Sequence, residues 1–102
     1  MGLLNWLGMS STSNEVKEFI SRNAIIIDVR TVDEYNEGHI ENSINIVLDT
    51  LEKNIEKIKK MNAPIIACCR SGARSGVATG ILNKHGIECI NGGGWQMLNS
   101  KI

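Results

Sequence analysis

The chain has 102 residues, of which 42% are hydrophobic and 22% charged, and this size and balance fit one globular domain. Eleven basic and eleven acidic side chains cancel to a net charge of zero and form no basic stripe, so nucleic acid is not an expected partner. Three cysteines, two of them adjacent and none in a CxxC pair, disfavour both a disulfide scaffold and a zinc site, so we expect no metal and a reducing, cytoplasmic location.

The chain opens with a short apolar segment, residues 1–9. It lacks a positively charged start and a small-residue cleavage site, so we do not expect a secretory signal. It is too short to cross a bilayer, so we expect no stable membrane insertion. We predict that Leu3, Leu4 and Leu7 pack on the rest of the chain; weak contact with a membrane or a partner is the alternative. We therefore divide the chain into an N-terminal apolar segment, residues 1–12, and a domain, residues 13–102.

The domain begins with a predicted helix and a predicted buried strand. Thr12 and Glu15 have the spacing of a capping box, which opens a helix that runs to about Ser21. Its predicted buried stripe consists of Val16, Phe19 and Ile20. The run Ala24–Val29 is short, apolar and rich in β-branched residues, which is typical of a strand buried on both faces of a parallel sheet.

The alternation of helix and strand then repeats. Thr31 and Glu34 repeat the capping spacing, and Gly38 can end this second short helix. Ser43–Val47 is predicted to be the second strand. A further capping pair, Asp49 and Glu52, predicts a third helix. The apolar positions of that helix are Leu51, Ile55 and Ile58.

The last third of the chain contains two further strands and two helices by the same criteria. The third strand is predicted at Ile65–Cys68 and the longest helix at Ala73–Lys84, followed by a last strand at Ile87–Ile90. A short helix is predicted to begin after the turn Gly92–Trp95. In the Ala73–Lys84 helix, the residues predicted to face inward are Val77, Ala78, Ile81 and Leu82. Strands that alternate with helices predict an α/β domain with a mainly parallel sheet, in which ligands bind beyond the carboxyl ends of the strands.

That rule directs attention to the loop Cys69–Ser75, between a buried strand and an amphipathic helix. Consecutive amides at a helix N-terminus form an anion-binding cradle, and Gly72 permits the turn that it needs. Arg70 and Arg74 add positive charge. These influences lower the pKa of a thiol, so the loop predicts a thiolate nucleophile that faces an anion pocket. The alternative, a cysteine that only fills the core, does not explain the glycine and two arginines beside it.

Together these residues resemble the rhodanese family. No single segment is decisive, but the order and spacing of the matching segments are specific from about Asn14 onward. The segments are Ile27–Arg30, Glu34–Tyr35, Gly38–Ile40, Ile44–Ile46, Cys69–Ser75 and Gly93–Trp95. The resemblance implies a three-layer α/β/α fold with a mainly parallel sheet of four or five strands.

The resemblance also implies sulfurtransferase activity. Cys69 would accept a sulfane sulfur from a small anionic donor such as thiosulfate, carry it as a persulfide, and pass it to cyanide or to a thiol, for example on a thioredoxin-like protein. The substrate-binding loop would consist of Arg70, Ser71, Gly72, Ala73, Arg74 and Ser75. Its amides would surround the persulfide, its arginines would attract the donor, and its serines would donate hydrogen bonds or cap the helix. This chemistry requires no cofactor.

Residues outside the loop receive supporting roles from the same resemblance. Asp28 and Arg30 would lie at a strand end near the loop, with Arg30 paired to Glu34. His39 is expected to satisfy local backbone groups, and Trp95 to belong to the core or to a pocket wall. The sequence departs from the family at residues 41–43, at Val47, and in the absence of a clear N-terminal strand.

The doubled cysteine leaves two alternatives open. Counted from Cys68, five residues precede Arg74, which is the spacing of the phosphate cradle in cysteine phosphatases and arsenate-type reductases. Counted from Cys69, four residues precede Arg74, and the loop falls in rhodanese register. We assign Cys69, with Cys68 as the final strand residue, and a non-enzymatic sulfur carrier or binding module is the third possibility.

Overall fold

Four parallel strands form the centre of the domain. The computed structural model describes residues 10–102, and the apolar segment predicted to pack on the domain lies almost wholly outside this range. The strands are β1 (Ile25–Asp28), β2 (Ile44–Asn45), β3 (Ile65–Cys69) and β4 (Cys89–Gly94). Their order in the sheet is β2-β1-β3-β4, and every neighbouring pair is parallel. The carboxyl ends of all four strands therefore meet at one edge.

Helices cover both faces of this sheet. They are α1 (Ser13–Ser21), α2 (Val32–Glu37), α3 (Ile55–Lys60), α4 (Ala73–Lys84) and α5 (Trp95–Ser100). Two 3-10 turns, Leu48–Thr50 and Glu52–Asn54, lead into α3. The capping boxes predicted at Thr12 and at Thr31 are both present, because each threonine accepts from the backbone three residues on while the glutamate there accepts from the threonine amide.

The side chains of the sheet divide between two apolar clusters, one on each face. One cluster contains Leu51, Ile58 and Leu82, so α3 and α4 lie on that face. The other contains Val16 and Leu98, so α1 and α5 lie on the opposite face. The predicted three-layer α/β/α architecture is therefore confirmed.

Neighbouring residues of β3 point to opposite faces, as strand geometry requires. Cys68 packs in the cluster with α1 and α5, whereas Cys69 packs in the cluster with α3 and α4. Both are almost fully buried, at 0% and 1% exposed respectively. Alternation along the strand therefore gives the two adjacent thiols entirely different surroundings.

Several predicted boundaries are wrong by a few residues. The third helix begins at Ile55 and not at Asp49, because Thr50 and Asn54 side chains bond to nearby carbonyls and hold the preceding chain in 3-10 turns. The second strand is only Ile44–Asn45, an edge strand paired on one side. Cys69 is the last residue of β3 and not the first of the loop, since it pairs with Gly94.

The last strand also differs from its prediction. The strand spans Cys89–Gly94 and therefore includes the glycines that were predicted to form a turn. Gly93 pairs with Cys68, and Gly94 pairs with Cys69. The register shifts by one residue between Ala67 and Cys68, which is a β-bulge in β4.

Two residues predicted to be buried are exposed. Val77 is 55% exposed and Ile20 is 36% exposed, because the buried faces of α4 and α1 are narrower than the apolar pattern suggested. Within residues 10–102, no helix has the length and hydropathy of a membrane span.

Candidate active site

The Cys69 sulfur lies at the carboxyl edge of the sheet, where β3 ends and the loop to α4 begins. Three hydrogen-bonding groups converge on it. The amide of Gly72 lies 3.0 Å from Sγ, the amide of Ser75 lies 3.4 Å away, and the Ser75 hydroxyl oxygen lies 3.3 Å away. The sulfur is buried, but the amides are directed at it.

These donors belong to the first turn of α4, which has no ordinary cap. Gly72 is the N-cap residue and carries no side chain that could accept from the free amides. The Cys69 sulfur accepts from Ser75, the third residue of the helix, which is the amide that a capping side chain normally binds. The sulfur therefore acts as the N-cap acceptor of α4, at the positive end of the helix dipole.

Gly72 makes this arrangement possible through its backbone. Its φ angle is 103°, in the left-handed region that favours glycine. This conformation turns the chain back over β3, so that the amide of Gly72 reaches a sulfur three residues earlier. The glycine predicted to permit the turn therefore occupies the position where the turn needs it.

The hydrogen bonds change the acidity of the thiol. Burial by itself raises the pKa of Cys69, but the Ser75 hydroxyl and the amides of Ser75, Gly72 and Ser71 together lower it below its ordinary value of 9.0. These groups stabilise the thiolate more than burial destabilises it. The geometry thus favours the anionic form of a sulfur that is almost fully buried.

The other two cysteines have the opposite character. Burial, and then the negative charge of Asp28, raise the pKa of Cys68 far above its usual range. Burial raises the pKa of Cys89 to about 11. All three cysteines are free thiols. Among them, Cys69 alone has a lowered pKa, and it is the one that we assigned from the loop register.

The Arg74 side chain is paired with a carboxylate. Its guanidinium forms a two-pronged ion pair with Glu34 of α2, with Nη1–Oε1 at 2.7 Å and Nη2–Oε2 at 3.0 Å. The charge predicted to attract an anionic donor is therefore neutralised in part by a carboxylate. The pair instead ties the first turn of α4 to α2.

Arg30 also differs from its predicted pairing. Its guanidinium binds the carboxylate of Asp28, with Nη2–Oδ2 at 2.7 Å, and donates to the backbone carbonyls of Glu34 and Gly38. It therefore contacts the backbone of Glu34 and not its carboxylate, which Arg74 occupies. Asp28 pairs across the sheet with Cys68, so this buried ion pair lies next to the end of β3, as predicted.

A pocket of about 300 Å³ lies beside the loop. Its lining residues are Arg30, Glu34, Glu37, Gly38, Arg70, Trp95 and Gln96. The Arg30 guanidinium lies 4.8 Å from the centre of the Trp95 ring, so Trp95 forms part of the pocket wall. Arg70, the residue after Cys69, is exposed and brings a positive charge to this pocket.

Gly94 allows β4 to approach the loop closely. A Cβ atom at this position would lie 2.7 Å from the carbonyl oxygen of Arg70. The absence of a side chain therefore sets the distance between the end of β4 and the first residue after Cys69.

The remaining predicted residues have simpler surroundings. Ala73 and Ser71 are exposed in the loop, and the backbone amide of Ser71 helps to lower the pKa of the Cys69 thiol. His39 Nδ1 lies 2.7 Å from the carbonyl oxygen of Tyr35, and its ring stacks on the Tyr35 ring. His39 therefore satisfies a local backbone group, as expected. No group of side chains suited to holding a metal ion occurs within residues 10–102.

Asn91 is a site residue that sequence reasoning missed. It lies on β4, is 4% exposed, and accepts from the Ser75 hydroxyl at 2.7 Å. Its side-chain amide donates to the carbonyl of Gly72 at 3.0 Å. An asparagine in an apolar strand run was a signal that could have drawn attention to it, because a buried amide needs several partners.

Comparison with known proteins gives a consistent result. Residues 12–99 match the family model described as "Rhodanese-like domain". The chain is 32% identical over 95 residues to a Schizosaccharomyces pombe protein named as a candidate mitochondrial thiosulfate sulfurtransferase. This match covers 79% of the chain and 67% of the Schizosaccharomyces pombe protein. It is 35% identical over 65 residues to Bacillus subtilis YrkF, named as a candidate sulfur carrier protein, covering 64% of this chain and 35% of YrkF.

The fold is also found among solved structures. A rhodanese-like domain protein from Staphylococcus aureus superimposes with a TM-score of 0.73 and 32% sequence identity. The match covers 88% of this chain and 89% of the Staphylococcus aureus chain. The chain spans about two-thirds of the Schizosaccharomyces pombe protein (67%) and about a third of YrkF (35%).

Proposed function

We propose that this chain, which belongs to the rhodanese-like domain family, is a sulfurtransferase with Cys69 as the sulfur carrier. Two of its relatives are named for sulfur transfer or for carrying sulfur. The observation that carries the proposal is the convergence of the Gly72 amide, the Ser75 amide and the Ser75 hydroxyl on the Cys69 sulfur. A sulfur that caps a helix and has a lowered pKa ionises more readily than an ordinary thiol, and the thiolate is the nucleophilic form of cysteine.

The proposed reaction has two steps. In the first, the Cys69 thiolate attacks the sulfane sulfur of thiosulfate; a new S–S bond forms, the bond to the sulfonate sulfur breaks, and sulfite leaves with the electron pair. In the second, an acceptor thiolate or cyanide attacks the outer sulfur. This step restores the Cys69 thiolate and yields an acceptor persulfide or thiocyanate.

The surroundings of Cys69 suit each part of this reaction. The sulfonate of the donor would enter the pocket beside the loop, where Arg70 supplies a positive charge. The outer sulfur of the persulfide would be anionic, and the remaining amides of residues 70–74 would receive it. A cellular acceptor would be a thiol, for example on a thioredoxin-like protein.

The test is mass spectrometry of the purified chain after incubation with thiosulfate. Cys68 and Cys69 are adjacent, so the experiment uses a Cys68→Ala background in which one cysteine remains in that peptide. We expect one added sulfur atom on the Cys69 peptide and its release as thiocyanate on addition of cyanide. No added sulfur with thiosulfate or with an organic persulfide donor would contradict the proposal.

The same preparation separates the alternatives. Cleavage of a phenyl phosphate without sulfur loading would indicate a cysteine phosphatase. Loading without release to cyanide or to small thiols would indicate a carrier that serves one protein partner. The phosphatase alternative receives little support from the site, since Cys68 is on the far face of the sheet and the amides bind Cys69.

A further inference from the structure

We propose that Asn91 is a positioning residue that competes with the Cys69 sulfur for the single hydroxyl hydrogen of Ser75. The inference rests on the proposed function only in taking Cys69 as the reacting sulfur. The Ser75 oxygen lies 2.7 Å from Asn91 Oδ1 and 3.3 Å from Cys69 Sγ. One hydroxyl hydrogen can be donated to only one of these acceptors at a time.

The orientation of the Asn91 amide is fixed by backbone groups. Its Oδ1 accepts from the amide of Gly93 at 2.9 Å, and its Nδ2 donates to the carbonyl of Gly72 at 3.0 Å. A backbone N–H can only donate and a carbonyl can only accept, so the oxygen must face Gly93 and Ser75. Asn91 pairs with Ala67 and Gly93 pairs with Cys68, so the β4 bulge lies between Asn91 and Gly93. This bulge brings the Gly93 amide within hydrogen-bonding distance of the Asn91 side chain.

The position of the hydrogen then follows the charge on Cys69. When Cys69 is a thiol, Ser75 donates to Asn91, and the thiol can donate to the Ser75 oxygen. When the thiol proton has left to water, the Ser75 hydroxyl can turn to the thiolate, and Asn91 keeps its bond from Gly93. Loading with sulfur removes the charge from Sγ, so the hydroxyl returns to Asn91.

Asn91 therefore moderates the acidity of Cys69. Stabilising the thiolate through Ser75 costs the Ser75–Asn91 bond, so without Asn91 that stabilisation would be larger. Such moderation keeps the Cys69 thiolate a better nucleophile when sulfur is loaded, because nucleophilicity falls as thiol pKa falls. It does so at the expense of Cys69 as a leaving group when the persulfide is handed on, since a thiol of lower pKa leaves faster.

Within residues 10–102, the other titratable and charged groups around the sulfur stay the same in this comparison. They are Cys68 on β3, Arg70 in the loop, Arg74 on α4 with Glu34 of α2, and Asp28 of β1 with Arg30. On β4, the uncharged side chain of Asn91 accepts from the Ser75 hydroxyl and from the amide of Gly93. Asn91 also binds the carbonyl of Gly72, so a Ser75→Ala background is needed to separate an effect through Ser75 from an effect through the loop.

The test is the pH profile of iodoacetamide alkylation of Cys69 in the full chain, in a Cys68→Ala background, read by mass spectrometry. Asn91→Leu keeps the size of the side chain and removes the acceptor. We expect it to lower the apparent pKa of Cys69 and to speed alkylation below the wild-type midpoint roughly 2- to 10-fold, the ratio for one net hydrogen bond. In a Ser75→Ala background the same substitution should leave the profile unchanged.

Two results would overturn the proposal. One is a raised apparent pKa in Asn91→Leu, which a merely structural role would produce by loosening the loop. The other is an equal shift with and without Ser75. If Asn91→Leu does not fold, Asn91→Asp retains the bond from Gly93 and holds the hydroxyl hydrogen more strongly. Asn91→Asp should raise the apparent pKa of Cys69 more when Ser75 is present than in the Ser75→Ala background. An equal rise in the two backgrounds would refute the competition. Alkylation needs no sulfur donor, so this result is independent of the sulfur-transfer test.

Discussion

Arg74 and Glu34 form a two-pronged ion pair that joins the first turn of α4 to α2, with contacts of 2.7 and 3.0 Å. Glu34 also caps its own helix by accepting from the amide and hydroxyl of Thr31. One carboxylate therefore holds α2 together and partly offsets the positive charge next to Cys69. Because Arg74 interacts electrostatically with Cys69, we expect the acidity of the reactive thiol to depend on a residue of another helix.

We expect opposite effects from breaking this pair at its two ends. Arg74→Ala removes a positive charge that interacts with Cys69, so it should raise the pKa of the thiol. Glu34→Gln leaves Arg74 without its carboxylate partner, so it should lower that pKa. The pH profile of Cys69 alkylation measures both, and equal profiles in wild type and Arg74→Ala would show that Glu34 cancels the charge completely.

Glu34 should also contribute to the stability of the protein at low pH. The Arg74 guanidinium, followed by the Thr31 amide, lowers the pKa of Glu34 to about 2. Because the folded-state pKa lies below the unfolded value, the unfolded chain binds the proton first as pH falls. The contribution is complete above about pH 4.5 and is lost as pH falls towards 2. Urea unfolding from pH 6 to pH 2 should show a shallower loss in Glu34→Gln; parallel curves would contradict this.

The two adjacent cysteines should differ in function. Cys69→Ser should abolish sulfur loading, because a hydroxyl does not ionise under these conditions. Cys68→Ala removes a sulfur from the opposite face of the sheet, so it should retain most loading at a cost of about 1 kcal/mol in unfolding free energy. Thiosulfate loading followed by intact mass measures both, and equal loss in both variants would contradict the assignment of Cys69.

Gly72→Ala should impair both the fold and the acidity of Cys69. Its φ of 103° places an alanine Cβ in a strained conformation, which costs about 1–2 kcal/mol. Relief of that strain would move its amide away from the sulfur, so the pKa of Cys69 should rise. Thermal unfolding and the alkylation profile measure the two effects.

Gly80→Ala is the matched control for this substitution. Gly80 lies in the interior of α4, where an added Cβ has no neighbour within 4 Å. The substitution should stabilise the helix by about 0.5–1 kcal/mol and leave Cys69 unchanged. A Gly72→Ala variant as stable and as reactive as Gly80→Ala would show that the backbone at Gly72 is not required.

The buried ion pair of Asp28 and Arg30 should be important for stability. Asp28 is 0% and Arg30 4% exposed, so Asp28→Asn leaves a buried guanidinium without its counter-charge, at a cost of about 3–5 kcal/mol. The control is Glu88→Gln, which breaks the exposed pair with Arg22 and should change stability little. Urea unfolding of the two variants checks this, and similar losses would show that burial does not decide the cost.

The amino-acid pattern was enough to predict the order of elements, the parallel α/β class and the place of the reactive loop. Apolar runs rich in β-branched residues, such as Ala24–Val29, alternate with capped amphipathic segments, and only helices on both faces can bury such strands. The bounds of the long helix, Ala73–Lys84, were predicted as observed. Cys69, followed by Gly72 and a helix, was sufficient to predict an anion cradle because that geometry is local.

The groups that complete the site depend on contacts between distant segments of the folded chain. Arg74 was expected to serve the anion and pairs with Glu34 instead, a partner forty residues away. Asn91 reaches Ser75 because β4 lies beside β3 and shifts register by one residue at the bulge. Patterns within one segment report how that segment folds, but the partner of a charged or amide side chain depends on which segments the sheet brings together. Hydrogen bonds across such distances leave no periodicity in the sequence.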